Sequence, residues 1–265
     1  SDPAAPHILA TVAAPEFAWD IVVKAGIAYV ADYFHGLQVI DVSARAAPRE
    51  IAALDNSWEA MRVFVSGTTA YVMDEFRGLR VIDIADPTAP RNVGMLDTQG
   101  ADHDIFVSGT TAFMAHGEGG LEIIDVANPA APRLVGELAT RGIATSVFVS
   151  GSRAYVADSG GLRVIDVADP TAPREIGSLG LPCCPWDVFV NGTLAYVLDY
   201  VAHGIQAFRV IDVANSASPR EVGSVDLPEG AVSVDVIEHT AYVADSFAGL
   251  RLLDVASPSQ PREIG

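Results

Sequence analysis

Tyr29-Val30-Ala31-Asp32, then Gly36-Leu37-Gln38-Val39-Ile40-Asp41-Val42, then Pro48-Arg49-Glu50-Ile51 is the stretch that decides the fold, because it returns along the whole chain. The last copy reads Tyr242-Val243-Ala244-Asp245, residues 249–255 and residues 261–265. The aspartate closing the middle block falls at Asp41, Asp83, Asp125, Asp166, Asp212 and Asp254, at intervals of 42, 42, 41, 46 and 42 residues. A fixed period of this size marks a propeller or a solenoid. It also supplies an internal control. A residue present in every copy answers a need of every repeat, whereas a residue present in one copy is where function can sit.

Each repeat reads as four short strands, in the first copy residues 20–23, 28–31, 37–42 and 50–54. Valine, isoleucine, tyrosine and phenylalanine fill these runs, and Gly, Pro, Asn and Asp punctuate them. No segment carries sustained helical periodicity. Four antiparallel strands every 42 residues match one propeller blade. The expectation is an all-β, six-bladed β-propeller with four antiparallel strands per blade, a single domain over residues 1–265. Residues 6–12 and 261–265 both resemble an outer strand. The N-terminal strand 6–12 is expected to close the ring as the outer strand of the last blade, with the reverse assignment open.

Tyr-Val-Ala-Asp, Gly-Leu-Arg-Val-Ile-Asp-Val and Asp-Pro-Thr-Ala-Pro-Arg, the last at 169–174, resemble the LVIVD repeat across essentially the whole chain. The resemblance implies a β-propeller from exported or cell-surface proteins of bacteria or archaea. The expected location is therefore extracytoplasmic: periplasmic, secreted or cell-surface. It implies no settled activity.

A net charge of −18 argues against nucleic acid, whose phosphates need a basic footprint, and suits cations and solubility. No apolar run approaches the roughly 20 residues that span a bilayer, so no transmembrane segment is expected. The redundant outer strand points to further domains of a longer chain. The cysteines, Cys183 and Cys184, are adjacent and cannot cross-link distant parts of the fold. A strained vicinal disulfide, a soft-metal site and simple packing all remain open for them.

Strand order puts the loop entering strand one and the loop leaving strand two on the same face. The end of strand two there reads Asp32, Asp74, His116, Asp158, Asp199 and Asp245, so His116 breaks an aspartate series. The mouth of strand one reads Asp20, Arg62, Asp104, Ser146, Asp187 and Ser233, with Trp19, His103 and Trp186 preceding its three aspartates. His35, His203, Glu75 and Glu118 fall in the loops leaving strand two. The aspartates from Asp41 to Asp254 and the arginines that follow the corner prolines recur in every copy. They are read as turn caps and their ion pairs.

Imidazole with carboxylate is a ligand set for a divalent cation, Zn, Mn or Ca. The sharpest expectation is a metal held by His103, Asp104 and His116. Asp20, Asp187, His35 and His203 complete the site or supply a general base. A metal-bound water would attack an ester or phosphoester, and Trp19, Trp58, Trp186, Arg62 and Glu118 would wall a small-molecule pocket. The alternative is a non-enzymatic binding or scaffold propeller. No phosphate loop, Gly-x-Ser-x-Gly elbow or His-Glu-x-x-His helix is present.

Overall fold

The structure, a computed structural model, describes residues 7–12, 17–54, 59–75, 77–98, 100–202, 205–228 and 230–265, with 201 and 202 described by backbone alone. All regular structure among these residues is β-strand, in six four-stranded antiparallel sheets that succeed one another along the chain. Sheet one is Ala18–Lys24, Ile27–Asp32, Gly36–Asp41 and Arg49–Leu54. Sheet two is Ala60–Ser66, Thr69–Asp74, Gly78–Asp83 and Arg91–Leu96. Sheet three is Asp104–Ser108, Thr111–His116, Gly120–Asp125 and Arg133–Leu138. Sheet four is Ala144–Ser150, Arg153–Asp158, Gly161–Asp166 and Arg174–Gly180. Sheet five is Pro185–Asn191, Leu194–Ala202, Ile205–Asp212 and Arg220–Pro228. Sheet six is Ala231–Ile237, Thr240–Asp245, Gly249–Asp254 and Arg262–Glu263. The all-β six-bladed reading is therefore observed. Among the described residues no helix is long and apolar enough to cross a membrane.

The last sheet takes its fourth strand from the C-terminus, where Leu253 pairs with Glu263 and Asp254 with Arg262. Residues 7–12 carry no strand, so among the described residues the expected closure by 6–12 is replaced by the C-terminal segment. The physical reason is connectivity. The C-terminal strand follows its partner through a short corner, and short closures cost less chain entropy than distant ones.

The residues fall into two compact units, His7–Gly117 with Glu122–Gly136, and Glu118–Leu121 with Glu137–Gly265. In the first, Leu37 and Val39 of sheet one pack on Val63, Val72 and Ile82 of sheet two. Leu79 and Val81 of sheet two meet Ile105, Met114 and Ile124 of sheet three. In the second, Val164 of sheet four meets Val188 and Ile211 of sheet five. Val210 of sheet five meets Val234 and Leu253 of sheet six. In sheets one to four both faces of strands two and three are largely buried, which is why they read as unbroken apolar runs. Burying each such side chain contributes about 1.5–3 kcal/mol.

Neighbouring sheets also meet backbone to backbone. A Cβ at Gly94 would lie 2.0 Å from the Pro129 carbonyl oxygen, one at Gly177 2.0 Å from that of Ser216, and one at Gly223 2.2 Å from that of Pro258. Each is a fourth-strand glycine seated on the corner of the next sheet.

The corner aspartates do what their recurrence implies. Asp83 accepts the Ala85 amide at 3.0 Å and Arg91 at 2.6 Å. Asp125 does the same with Ala127 and Arg133, and Asp212 with Ala214 and Arg220. These bonds hold the corner carboxyls below the usual carboxylate range: the turn amide is the largest cause in Asp83, Asp125, Asp166, Asp212 and Asp254.

Candidate functional site

Four of the strand-two aspartates lie buried against an arginine of strand three. Asp74 meets Arg80 at 2.8 Å, Asp158 meets Arg163 at 2.7 Å, Asp199 meets Arg209 at 2.8 Å and Asp245 meets Arg251 at 2.6 Å. Some cap their loops as well: Asp245 accepts the amides of Phe247 and Ala248, and Asp158 that of Gly160. In sheet one Gln38 stands in the arginine's place, and Asp32 accepts the amides of Phe34 and His35 and meets the His35 ring at 3.1 Å. The aspartate series is thus a set of ion pairs and caps inside the sheets.

Sheet three inverts the pattern. His116 replaces the aspartate, and Glu122 replaces the arginine, with His116 Nε2 3.8 Å from Glu122 Oε1. The residue paired with the strand-two aspartate is Ala18, Ala60, Ala144, Pro185 or Ala231 in the other sheets. The equivalent residue of sheet three, two before its strand-one aspartate, is Asp102. Its Oδ1 lies 2.5 Å from His116 Nδ1, and its Oδ2 accepts Thr98 Oγ1 at 2.5 Å. Burial pushes the Asp102 carboxyl up, against the pull of Thr98 and His116. One ligand atom from each of Asp102, His116 and Glu122 lies within 4.8 Å of the others. A cleft of about 250 Å³ lined by Leu96, Asp97, Thr98, Glu122 and Leu134 adjoins the group.

His103 and Asp104, expected to ligate beside His116, are not part of that convergence. His103 is half-buried and donates its amide to Ala115; burial lowers its imidazole pKa. Asp104 accepts the Ile105 amide at 2.9 Å and lies 3.8 Å from Arg62. Asp102 and Glu122 were the residues the sequence reading passed over. The signal lay in the same comparison between copies, at the variable residue of Gly-Leu-x and two residues before the strand-one aspartate.

The residues expected to act as bases are held in structural bonds. Asp20 accepts the Ile21 amide at 2.8 Å and the Val63 amide of sheet two at 2.9 Å. Asp187 accepts the Val188 amide at 3.0 Å, Ser146 Oγ of sheet four at 3.0 Å and the Val234 amide of sheet six at 2.7 Å. His35 is turned onto Asp32. Glu118 is exposed, and His203 and Trp58 lie outside the described residues.

The remaining pocket residues sort differently. Trp19 and Trp186 sit at the same register of strand one, at the shift in pairing before Asp20 and Asp187, and are 48% and 47% exposed. Each has a tyrosine following the strand-two aspartate: Tyr33 and Tyr200. Trp19 and Tyr33 rings lie 6.4 Å apart, with Phe34 edge-on to Tyr33 at 5.0 Å and Phe17 edge-on to Phe34 at 5.7 Å. The Tyr33 hydroxyl donates to Glu75, and that bond, with Glu59 nearby, pushes its pKa up to about 12. Trp186 and Tyr200 line a cleft of about 330 Å³ with Cys184, Gln206, Ala231 and Val232. Cys183 and Cys184 are free thiols with sulfurs 3.0 Å apart.

A profile of the LVIVD repeat matches residues 17–55, 59–98, 99–140, 141–180, 185–227 and 230–265. The chain belongs to the LVIVD-repeat family. No curated protein matches this LVIVD chain by sequence. Among solved structures it is similar to the β-propeller domain of Myceliophteria thermophila Cps50 (Swd1), at TM-score 0.70 and 11% identity, covering 90% of this chain and 84% of that one. It is also similar to the computationally designed Ika8 protein, at TM-score 0.70 and 10% identity over 89% of this chain and 70% of that one. At such identities the likeness is one of fold, and the fold of the LVIVD chain is the six-bladed β-propeller.

Proposed function

We propose that this LVIVD propeller is a non-enzymatic binding module for a cationic partner, a protein segment carrying guanidinium or alkylated ammonium groups. The observation that carries the reading is the recurrence of a solvent-facing Trp/Tyr pair, Trp19–Tyr33 and Trp186–Tyr200, in two sheets of a chain whose other sheets lack it. A cation over an indole or phenol face is attracted by the ring quadrupole, by about 0.5–2 kcal/mol. Glu59 and Glu75 beside Tyr33 add opposite charge, and a net charge of −18 draws cations from a distance. The reading includes an extracytoplasmic location, which the resemblance to the LVIVD repeat supports as an expectation.

The test is calorimetric titration with an arginine-bearing or trimethyl-lysine-bearing peptide against its acetyl-lysine counterpart, with tryptophan fluorescence as a second readout. Tight binding of the cationic peptides alone, weakened about 3- to 30-fold by Trp19→Ala or Trp186→Ala, is expected. Equal binding of the neutral peptide, or none of either, overturns the reading.

A metal-dependent ester or phosphoester hydrolase is the second reading, supported by the convergence of Asp102, His116 and Glu122. An ester and phosphoester panel run with and without chelator decides it: chelator-sensitive turnover lost in His116→Ala supports the hydrolase, and no turnover removes it.

A further inference from the structure

Three departures of sheet three from the other sheets, Asp102 for alanine or proline, His116 for aspartate and Glu122 for arginine or glutamine, fall on side chains whose ligand atoms lie within 4.8 Å of one another. Inverting an ion pair needs only two of them. A reversed pair is complete with His116 and Glu122, yet a second carboxylate has been set against the far side of the ring. The side chains are 0% exposed at Asp102, 14% at His116 and 9% at Glu122. With the imidazole protonated the three carry a net single negative charge; with it neutral they carry two.

We infer that His116 Nε2 and Glu122 form a binding site for a divalent transition-metal ion of the zinc class, with Asp102 orienting the imidazole from behind. This inference goes beyond the cationic-partner reading and is independent of it. The arrangement is that of a metal-binding histidine, which donates its other ring nitrogen to a carboxylate, fixing the tautomer and the ring plane. Here Nδ1 faces Asp102 at 2.5 Å, which leaves the lone pair of Nε2 for an ion on the Glu122 side. The 3.8 Å between Nε2 and Glu122 Oε1 is a gap that one ion bridges with bonds of about 2.0–2.2 Å to each. Neutral imidazole with two carboxylates then balances a +2 ion.

The surroundings fit such an ion. Gly100 comes down over the ring, where a Cβ would lie 2.2 Å from His116 Cε1 and 2.6 Å from Nε2, so only a residue without a side chain leaves that edge clear. Glu122 and Thr98 line the 250 Å³ cleft, and that cleft gives an ion water ligands and a way in. Mixed nitrogen and oxygen donors favour zinc, manganese or iron over calcium, which prefers oxygen alone.

The test is titration of chelator-treated protein with Zn²⁺ by calorimetry and with Co²⁺ by visible absorption, whose intensity reports nitrogen-containing low-symmetry coordination. One equivalent is expected in wild type. Asp102→Asn should weaken binding about 10- to 100-fold, as for other carboxylates behind a metal-binding histidine. Asp102→Ala/His116→Asp/Glu122→Arg, which returns sheet three to the pattern of its neighbours, should fold, unfold at a wild-type temperature and bind no cobalt. Wild type that takes up no stoichiometric zinc overturns the inference, as does a triple variant that binds as wild type does, since the ion would then sit on acidic surface elsewhere.

Discussion

Glu122 faces His116 across the space where Arg80 faces Asp74 in the preceding sheet, so the charges of one position pair are exchanged between neighbours. The exchange makes the two residues interdependent. His116→Asp alone sets three carboxylates together, and breaking a buried pair in this way costs about 3–5 kcal/mol. The triple change with Asp102→Ala and Glu122→Arg should recover most of that loss. Urea unfolding of both variants measures the non-additivity, which residues in contact are expected to show.

Depth separates the two arginine series. Arg163 is 6% exposed and holds Asp158, whereas Arg174 is 73% exposed and holds Asp166 at a corner. Arg163→Ala leaves a buried carboxylate behind and should cost about 3–5 kcal/mol. Arg174→Ala should leave the unfolding midpoint nearly unchanged, because exposed pairs are screened by water. Equal losses in the two variants would refute the distinction.

Asp187 joins three sheets through Ser146, its own Val188 and Val234. Asp187→Ala orphans the Val234 amide and should lower stability by about 1–3 kcal/mol. The same holds for Asp20→Ala and the Val63 amide. A general base would instead be lost from turnover with stability intact, so thermal unfolding and a rate assay on one variant tell the roles apart.

Acid should loosen the corners together. The corner aspartates from Asp41 to Asp254 titrate below their ordinary value when folded. A depressed folded pKa means the stabilisation is fully present above the unfolded value, about 3.9, and is lost as pH falls through the folded values. The unfolding temperature measured from pH 6 to pH 2 should therefore hold level down to about pH 4 and then fall, with no loss on the alkaline side from these groups.

The repeat made the sheets legible because each strand answers the same local demands in every copy. Asp41 with Ser43, and Asp83 with Ala85, are contacts within two residues, so spacing reveals them. Asp20 looked free in the sequence because its partner, the Val63 amide, lies in another sheet and is backbone, which no side-chain pattern marks. Asp102 and Glu122 were hidden for another reason. They lie 14 residues before and 6 after His116 and converge only through strand pairing. Trp19 and Trp186 sit at a shift in strand register, which composition does not record.

The seating of Gly94, Gly177 and Gly223 on the carbonyls of the following corners gives each of those junctions the same fitting. The 46-residue repeat accommodates its additional length in the long Leu194–Ala202 and Ile205–Asp212 strands, at the opposite end from the corner. A gene that copies one whole repeat therefore copies both halves of a working joint. Loops can drift toward new ligands while the joints stay interchangeable, so this architecture can gain specificity one module at a time.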